Sequence, residues 1–304
     1  MKAVRAVIGF TVVALGLVVP TLSGAANAGS SFPVTVKTAN GAVTISSRPT
    51  AIMSLSATAT EMLYAIGAGA QVTAVDKYSN YPKGTPMTGL DGYNVSAEAI
   101  AKFHPDLIIV AYDPPSLAAQ LATLKIPVIY DPAAPNLAVA YHQYLGLGLA
   151  TGHLVQARLE MAHLRSTISQ IVKSTPRPPK GTTYYYELDP TYYSVTSNTF
   201  MGQLLGLLGL KSIADAAGVN SNGGYPQLTA EFILQANPTY ILLVDHLCCQ
   251  ATPQSVAARP GWSALSAVAH HRIIMLSDDI ASRWGPRITI LLQEVANELK
   301  RQPA

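Results

Sequence analysis

The chain has 304 residues and a formal net charge of +3, with 49% apolar residues and only 12% charged ones. This composition excludes a disordered chain and fits large buried sheets. Its basic residues are scattered rather than striped, so no nucleic-acid partner is expected.

Residues 1–28 read as a secretory signal peptide: Lys2 and Arg5 charge the start, Ala6 to Val19 form an apolar core, and Ala26-Asn27-Ala28 offers a small-residue cleavage site. With no cysteine near that site, the expected product is a soluble chain without a lipid anchor, periplasmic or secreted. What remains is long enough for two lobes with cores of their own.

The first lobe is assigned to residues 29–150. Pro33 to Arg48 predicts a strand hairpin turning at Ala39-Asn40-Gly41. Strand 51–56, helix 58–66 and strand 72–76 follow, then the loop Lys77-Tyr78-Ser79-Asn80-Tyr81-Pro82. A short helix and strand over 94–110, helix 117–124 and strand 128–130 complete the lobe. Such alternation specifies a parallel sheet with helices on its faces.

Residues 151–174 predict one long connecting helix. Leu154, Ala157, Met161, Leu164, Ile168 and Ile171 recur at three and four to paint a single apolar stripe, and the proline-rich run from Thr175 to Gly181 stops it. Its length is about 36 Å. The second lobe, 175–304, repeats the order: strand 182–187, helix 199–208, a helix and strand over 227–243, strand 273–276 and a final helix 287–301.

The recurrence is explicit in one place. Residues 94–110 and 227–243 align without a gap, at a constant offset of 227 − 94 = 133. Each copy carries a Ser or Thr cap, a glutamate in the first helical turn (Glu98, Glu231), a proline stop and an apolar strand. Two similar α/β lobes joined by a long helix follow.

Several features point away from catalysis. The run Gly146-Leu-Gly-Leu-Ala-Thr-Gly152 follows no strand and lacks the lysine of a phosphate loop; it reads as glycines for close helix packing and a bend. There is no Gly-x-Ser-x-Gly, no His-Glu-x-x-His and no Cys-x-x-Cys. The seven histidines share no face with a carboxylate, so no metal site and no cofactor are expected. Cys248-Cys249 can close a ring with each other but cannot staple distant segments, which suggests a rigid loop device. The tyrosines are more informative. Tyr78, Tyr81, Tyr93, Tyr112, Tyr192, Tyr193 and Tyr225 gather in loops after strands, where open α/β sheets bind ligands, and suit a large amphipathic one.

The motifs Ser54-Leu-Ser-Ala-Thr-Ala-Thr-Glu61, Tyr78-Ser-Asn-Tyr-Pro82, Pro105-Asp-Leu-Ile108, Tyr225-Pro-Gln-Leu-Thr-Ala-Glu231, Ser277-Asp-Asp279 and Arg283 to Arg287 together resemble a known family. It is that of the helical-backbone (class III) periplasmic substrate-binding proteins of metal-chelate importers, and the likeness is nearest to its cobalamin-binding members. The resemblance implies an α/β fold of two parallel-sheet sandwich lobes joined by a single long backbone helix. It also implies a non-enzymatic monomer that carries a corrinoid to an ABC permease dimer with its ATPase; a ferric siderophore or haem is the alternative chelate, and an exported hydrolase the alternative of another class. Tyr78, Tyr93 and Tyr112 would line the N-lobe wall of the cleft, and Tyr192 or Tyr193, Tyr225, Asp278 and Arg283 the C-lobe wall. Glu98 and Glu231 would dock on the permease. The sequence departs from the cobalamin-binding members at Gly92-Tyr93 and Tyr225, where they carry tryptophan. The segment from Asp278 to Arg283 is also one residue longer, and adjacent cysteines stand in place of a C-lobe disulfide.

Overall fold

The computed structural model of the protein describes residues 31–113, 117–218 and 220–301. The proposed signal peptide lies outside them. An antiparallel hairpin, β1 (Val34–Thr38) and β2 (Gly41–Ile45), comes first. The first lobe then contains β3 (Ile52–Leu55), α1 (Ala57–Ala65), β4 (Val72–Val75), α2 (Ala97–Ala101), β5 (Leu107–Val110), α3 (Leu117–Thr123) and β6 (Val128–Tyr130). Its four strands are all parallel, in the order β4-β3-β5-β6. Strands buried on both faces account for the continuous apolar runs, such as Leu107 to Val110, all fully buried.

Two consecutive helices follow, α4 (Leu137–Thr151) and α5 (Leu154–Ser174). The second lobe contains β7 (Thr183–Glu187), α6 (Phe200–Gly206), β8 (Lys211–Ser212), α7 (Ala230–Ala236) and β9 (Tyr240–Leu243). The short helices α8 (His246–Cys249), α9 (Pro253–Ala257) and α10 (Ser266–Ala269) lead to β10 (Ile273–Met275), and α11 (Asp278–Ala281) and α12 (Ile288–Arg301) close the chain. This sheet is also fully parallel, in the order β8-β7-β9-β10. The two orders are the same once β3 is matched to β7, so the repeat seen between 94–110 and 227–243 extends to whole sheets. In each lobe the strand order reverses between the two central strands, where open sheets of this kind bind ligands at the strand C-termini.

Helix α5 belongs to both cores. Ala157, Met161 and Leu164 pack in the N-lobe cluster, whereas Ile168 and Ile171 pack in the C-lobe cluster. Burying Met161, Leu164, Ile168 and Ile171 contributes roughly 1.5–3 kcal/mol each. The helix starts at Leu154 rather than near 151 because Gly152, at φ 77°, ends α4 in the left-handed conformation and donates its N–H to Gly148 O and Leu149 O. A Cβ on Gly148 would lie 2.5 Å from Ala157 Cβ, so the glycine run permits a tight α4–α5 hairpin. Among the described residues no helix is long and apolar enough to cross a membrane.

Candidate functional site

The site is built where the N-lobe strands end. Ser56, after β3, caps α1 by accepting from Ala59 N. The loop after β4 turns on Asp76, a buried carboxylate that accepts from Ser79 Oγ at 2.7 Å and Tyr78 N at 3.2 Å. Burial raises the Asp76 carboxyl above its usual range, and those bonds and Arg283 partly offset the rise. Gly92 sits against this turn. Any Cβ there would come within 2.6 Å of Asp76 Oδ2 and 2.8 Å of Leu55 O, so only glycine brings the next residue, Tyr93, to the opening.

Three tyrosines from two loops, Tyr78 and Tyr93 after β4 and Tyr112 after β5, meet as a result. The rings of Tyr78 and Tyr93 stand 5.8 Å apart edge to face, and Tyr93 and Tyr112 are 5.9 Å apart. All three are exposed, Tyr93 at 63%. Asp91 organises them from below. It pairs with Lys77 Nζ at 3.0 Å, accepts from Tyr78 Oη at 3.3 Å and receives Tyr93 N at 3.0 Å. Lys77 holds its carboxyl below the usual range. The ammonium of Lys77 also lies 4.9 Å from the Tyr78 ring centroid.

These residues line a cleft of about 430 Å³, within the range of small-molecule sites. Its far side is the second lobe: Asp279, Ser282, Arg283 and Trp284. Arg283 is buried, and its donors are taken by protein. Nη1 reaches Glu61 Oε1 at 2.8 Å and Asn80 Oδ1 at 3.0 Å; Nη2 reaches Tyr78 O at 2.9 Å and Asp279 Oδ1 at 3.2 Å. Arg287 adds two bonds to the same Glu61 carboxylate and lies over the Tyr81 ring at 4.2 Å. Asn80 Nδ2 returns to Asp279 Oδ2 at 2.8 Å. Arg283 therefore borders the cleft as a fastener between lobes.

The other C-lobe candidates divide. Tyr225 is exposed, and it and Asp278 both lie near enough to the buried Tyr186 to push its hydroxyl up, after burial and Tyr184. Asp278 accepts from Leu247 N and Cys248 N at 3.1 Å each, with His246 Nδ1 at 3.0 Å. Tyr192 is engaged elsewhere. At φ 70° its ring stacks on Trp262 at 5.8 Å, with the Arg259 guanidinium 5.6 Å from it, over the core on the other face of the sheet. Tyr193 is half-buried and bridges Gln227 through the backbone. None of Tyr192, Tyr193, Tyr225 and Asp278 is among the residues that line this cleft; of the expected C-lobe wall only Arg283 is. Glu98 and Glu231 are not among its lining residues; both are exposed in the first turns of α2 and α7, where Ser96 and Thr229 cap the helices.

Sequence reasoning missed Asp76, Asp91 and Glu61 as architects of the cleft. The signal for Asp76 was an acid directly after a strand and two residues before a tyrosine. Cys248 and Cys249 are joined to each other, as a ring between neighbours requires. Among the described residues no group of His, Cys, Asp and Glu is arranged to hold a metal ion.

A family profile described as periplasmic binding protein matches residues 52–280. The chain belongs to this family of periplasmic binding proteins. An ABC transporter substrate-binding lipoprotein of Bacillus subtilis is 30% identical over 278 residues, covering 88% of this chain and 86% of the relative. A cobalamin-binding protein of Halobacterium salinarum is 26% identical, covering 91% and 77%. Among solved structures, the periplasmic vitamin B12 binding protein of Vibrio cholerae superposes with a TM-score of 0.68 at 24% identity, covering 83% of this chain and 97% of that one. The periplasmic heme-binding protein of Roseiflexus sp. RS-1 gives 0.70 at 22%, covering 84% and 99%. Both share the fold of two lobes on a helical backbone. The Bacillus relative is described as a lipoprotein, so the expectation of an unanchored chain gains nothing from it.

Proposed function

We propose that the protein is the exported substrate-binding component of an ABC importer, and that it captures a corrinoid of the cobalamin type. The observation that carries this reading is the cleft itself: three exposed tyrosines from two strand-end loops, facing a second lobe across about 430 Å³. Exposed rings backed by a braced carboxylate suit a wide ligand with apolar faces and polar rims. Relatives named for cobalamin or vitamin B12 binding, at 26% identity over most of the chain, favour a corrinoid. Haem or a ferric siderophore is the second reading, favoured by the likeness to heme-binding structures.

On this reading no bond is made or broken. The protein lowers the free ligand concentration, then presents it to a permease dimer driven by an ATPase, with Glu98 and Glu231 as the two docking acids. Calorimetric titration with cyanocobalamin, haem and ferric siderophores tests the proposal. Saturable one-to-one binding of cobalamin, tighter than of the others, is expected; binding of none would overturn it.

A further inference from the structure

The loop after β9 is the counterpart of the loop after β5, displaced by the same 133 residues. After β5 this position carries Tyr112 to the cleft. After β9 the chain instead forms α8, and the equivalent residue, Asp245, turns fully inward. What α8 presents outward is Leu247, 63% exposed, followed by Cys248 and Cys249, both exposed and closed into a ring by their disulfide.

The helix is short but firmly held. Asp278 takes the N–H groups of Leu247 and Cys248 on one carboxylate oxygen and faces His246 with the other. Cys249 N donates to Asp245 O at 3.0 Å, and Gln250, left-handed at φ 59°, ends the turn on His246 O. Asp279, next to the anchor Asp278, lines the cleft and holds Asn80 of the opposite lobe. The anchored ring thus stands at the C-terminal edge of the second sheet, held by the residue that directly precedes cleft-lining Asp279.

A ring made from adjacent cysteines offers sulfur and methylene surface with no strong donor or acceptor. Such a surface packs against the edge or face of a conjugated ring, and a rigid one does so with little ordering cost. We propose that Leu247 and the Cys248–Cys249 ring form a C-lobe platform that contacts the apolar rim of a conjugated metal macrocycle, opposite the tyrosines of the N-lobe. This rests on the transport reading above and deepens it: the platform favours a corrin or porphyrin over a chelate made only of hydroxamate or catecholate arms.

The test uses cyanocobalamin, hemin and a ferric trihydroxamate with the purified protein, its C248S/C249S variant and its L247D variant, which keeps the ring. Melting curves confirm that each variant is folded. The expected result is macrocycle binding by the wild type, weakened roughly three- to tenfold in each variant, as loss of a sulfur–ring or apolar contact implies. Wild-type protein treated with dithiothreitol should lose a similar factor. Equal macrocycle affinity in the wild type and both folded variants would overturn the platform while leaving the transport reading intact. Binding of the trihydroxamate alone would overturn the platform and the corrinoid preference together, and binding of no probe would overturn the transport reading as well.

Discussion

Arg283 of the second lobe places Nη1 2.8 Å from Oε1 of Glu61 in the first, and the Glu61 side chain is wholly buried. With Arg287 at 2.5 Å on the same oxygen, one carboxylate holds two guanidinium groups across the lobe junction. Removing the acid leaves both cations without it. Glu61→Ala should therefore cost roughly 3–5 kcal/mol in urea unfolding. Arg301→Ala, which breaks an exposed pair with Glu298, should cost less than about 1 kcal/mol. Equal costs would mean that the junction is not held this way.

The tyrosine cluster predicts a different pattern. Tyr78→Ala and Tyr112→Ala remove exposed rings, so stability should hardly change. Ligand affinity should fall by roughly 1–3 kcal/mol for each, and less for the Phe variants. Tyr192→Ala should do the reverse, weakening the fold through its stack on Trp262 while leaving affinity near the wild-type value. Titration and thermal melting of the same variants separate the two roles.

Asp245 gives the chain a pH dependence. It is fully buried, and burial, followed by the charge of nearby Glu187 and a hydrogen bond to it, raises its pKa to about 7. The fold therefore favours the protonated acid. That contribution is complete below about pH 4 and is lost as pH rises through about 7, at most about 4 kcal/mol. The melting temperature should fall between about pH 4 and 7 and level off above, and Asp245→Asn should flatten the profile. A fall of the same size in the variant would assign it to other groups.

Glu98→Arg combined with Glu231→Arg should leave ligand affinity intact and abolish uptake through the importer, because charges at a rim mainly set register and encounter rate. Normal transport by this double variant would reduce both glutamates to helix-terminus acids.

Gly148→Ala tests the reading of the glycine run. Its Cβ would press on Ala157 Cβ, so the variant should lose about 1–3 kcal/mol through forced separation of α4 and α5. Gly206→Ala, where a Cβ meets nothing, should be neutral or slightly stabilising.

The fold was legible where periodicity and repetition carry it. The apolar stripe from Leu154 to Ile171 marked α5, and the paired segments located β5 and β9 in their lobes. Helix α4 was not legible, since it is buried on several sides: Ala140 packs in one core while Tyr144 and Leu147 pack in the other, so no stripe forms. In the site, Tyr78, Tyr93 and Tyr112 could be found from composition at strand ends. The attachment of Arg283 to Glu61 could not, because it joins residues 222 positions apart and depends on how the lobes face each other. Tyr192 misled for a related reason: a loop aromatic in sequence does not reveal on which face of the sheet its ring falls.

Helix α5 also decides how the molecule comes apart. Its first half walls one core and its second half the other, and Ala134 and Ala140, which precede it, already pack with the second. No single cut in the chain yields two halves that are each whole. Melting one lobe strips a wall from its neighbour, so the repeated units, though alike in topology, form one cooperative unit that unfolds in a single transition.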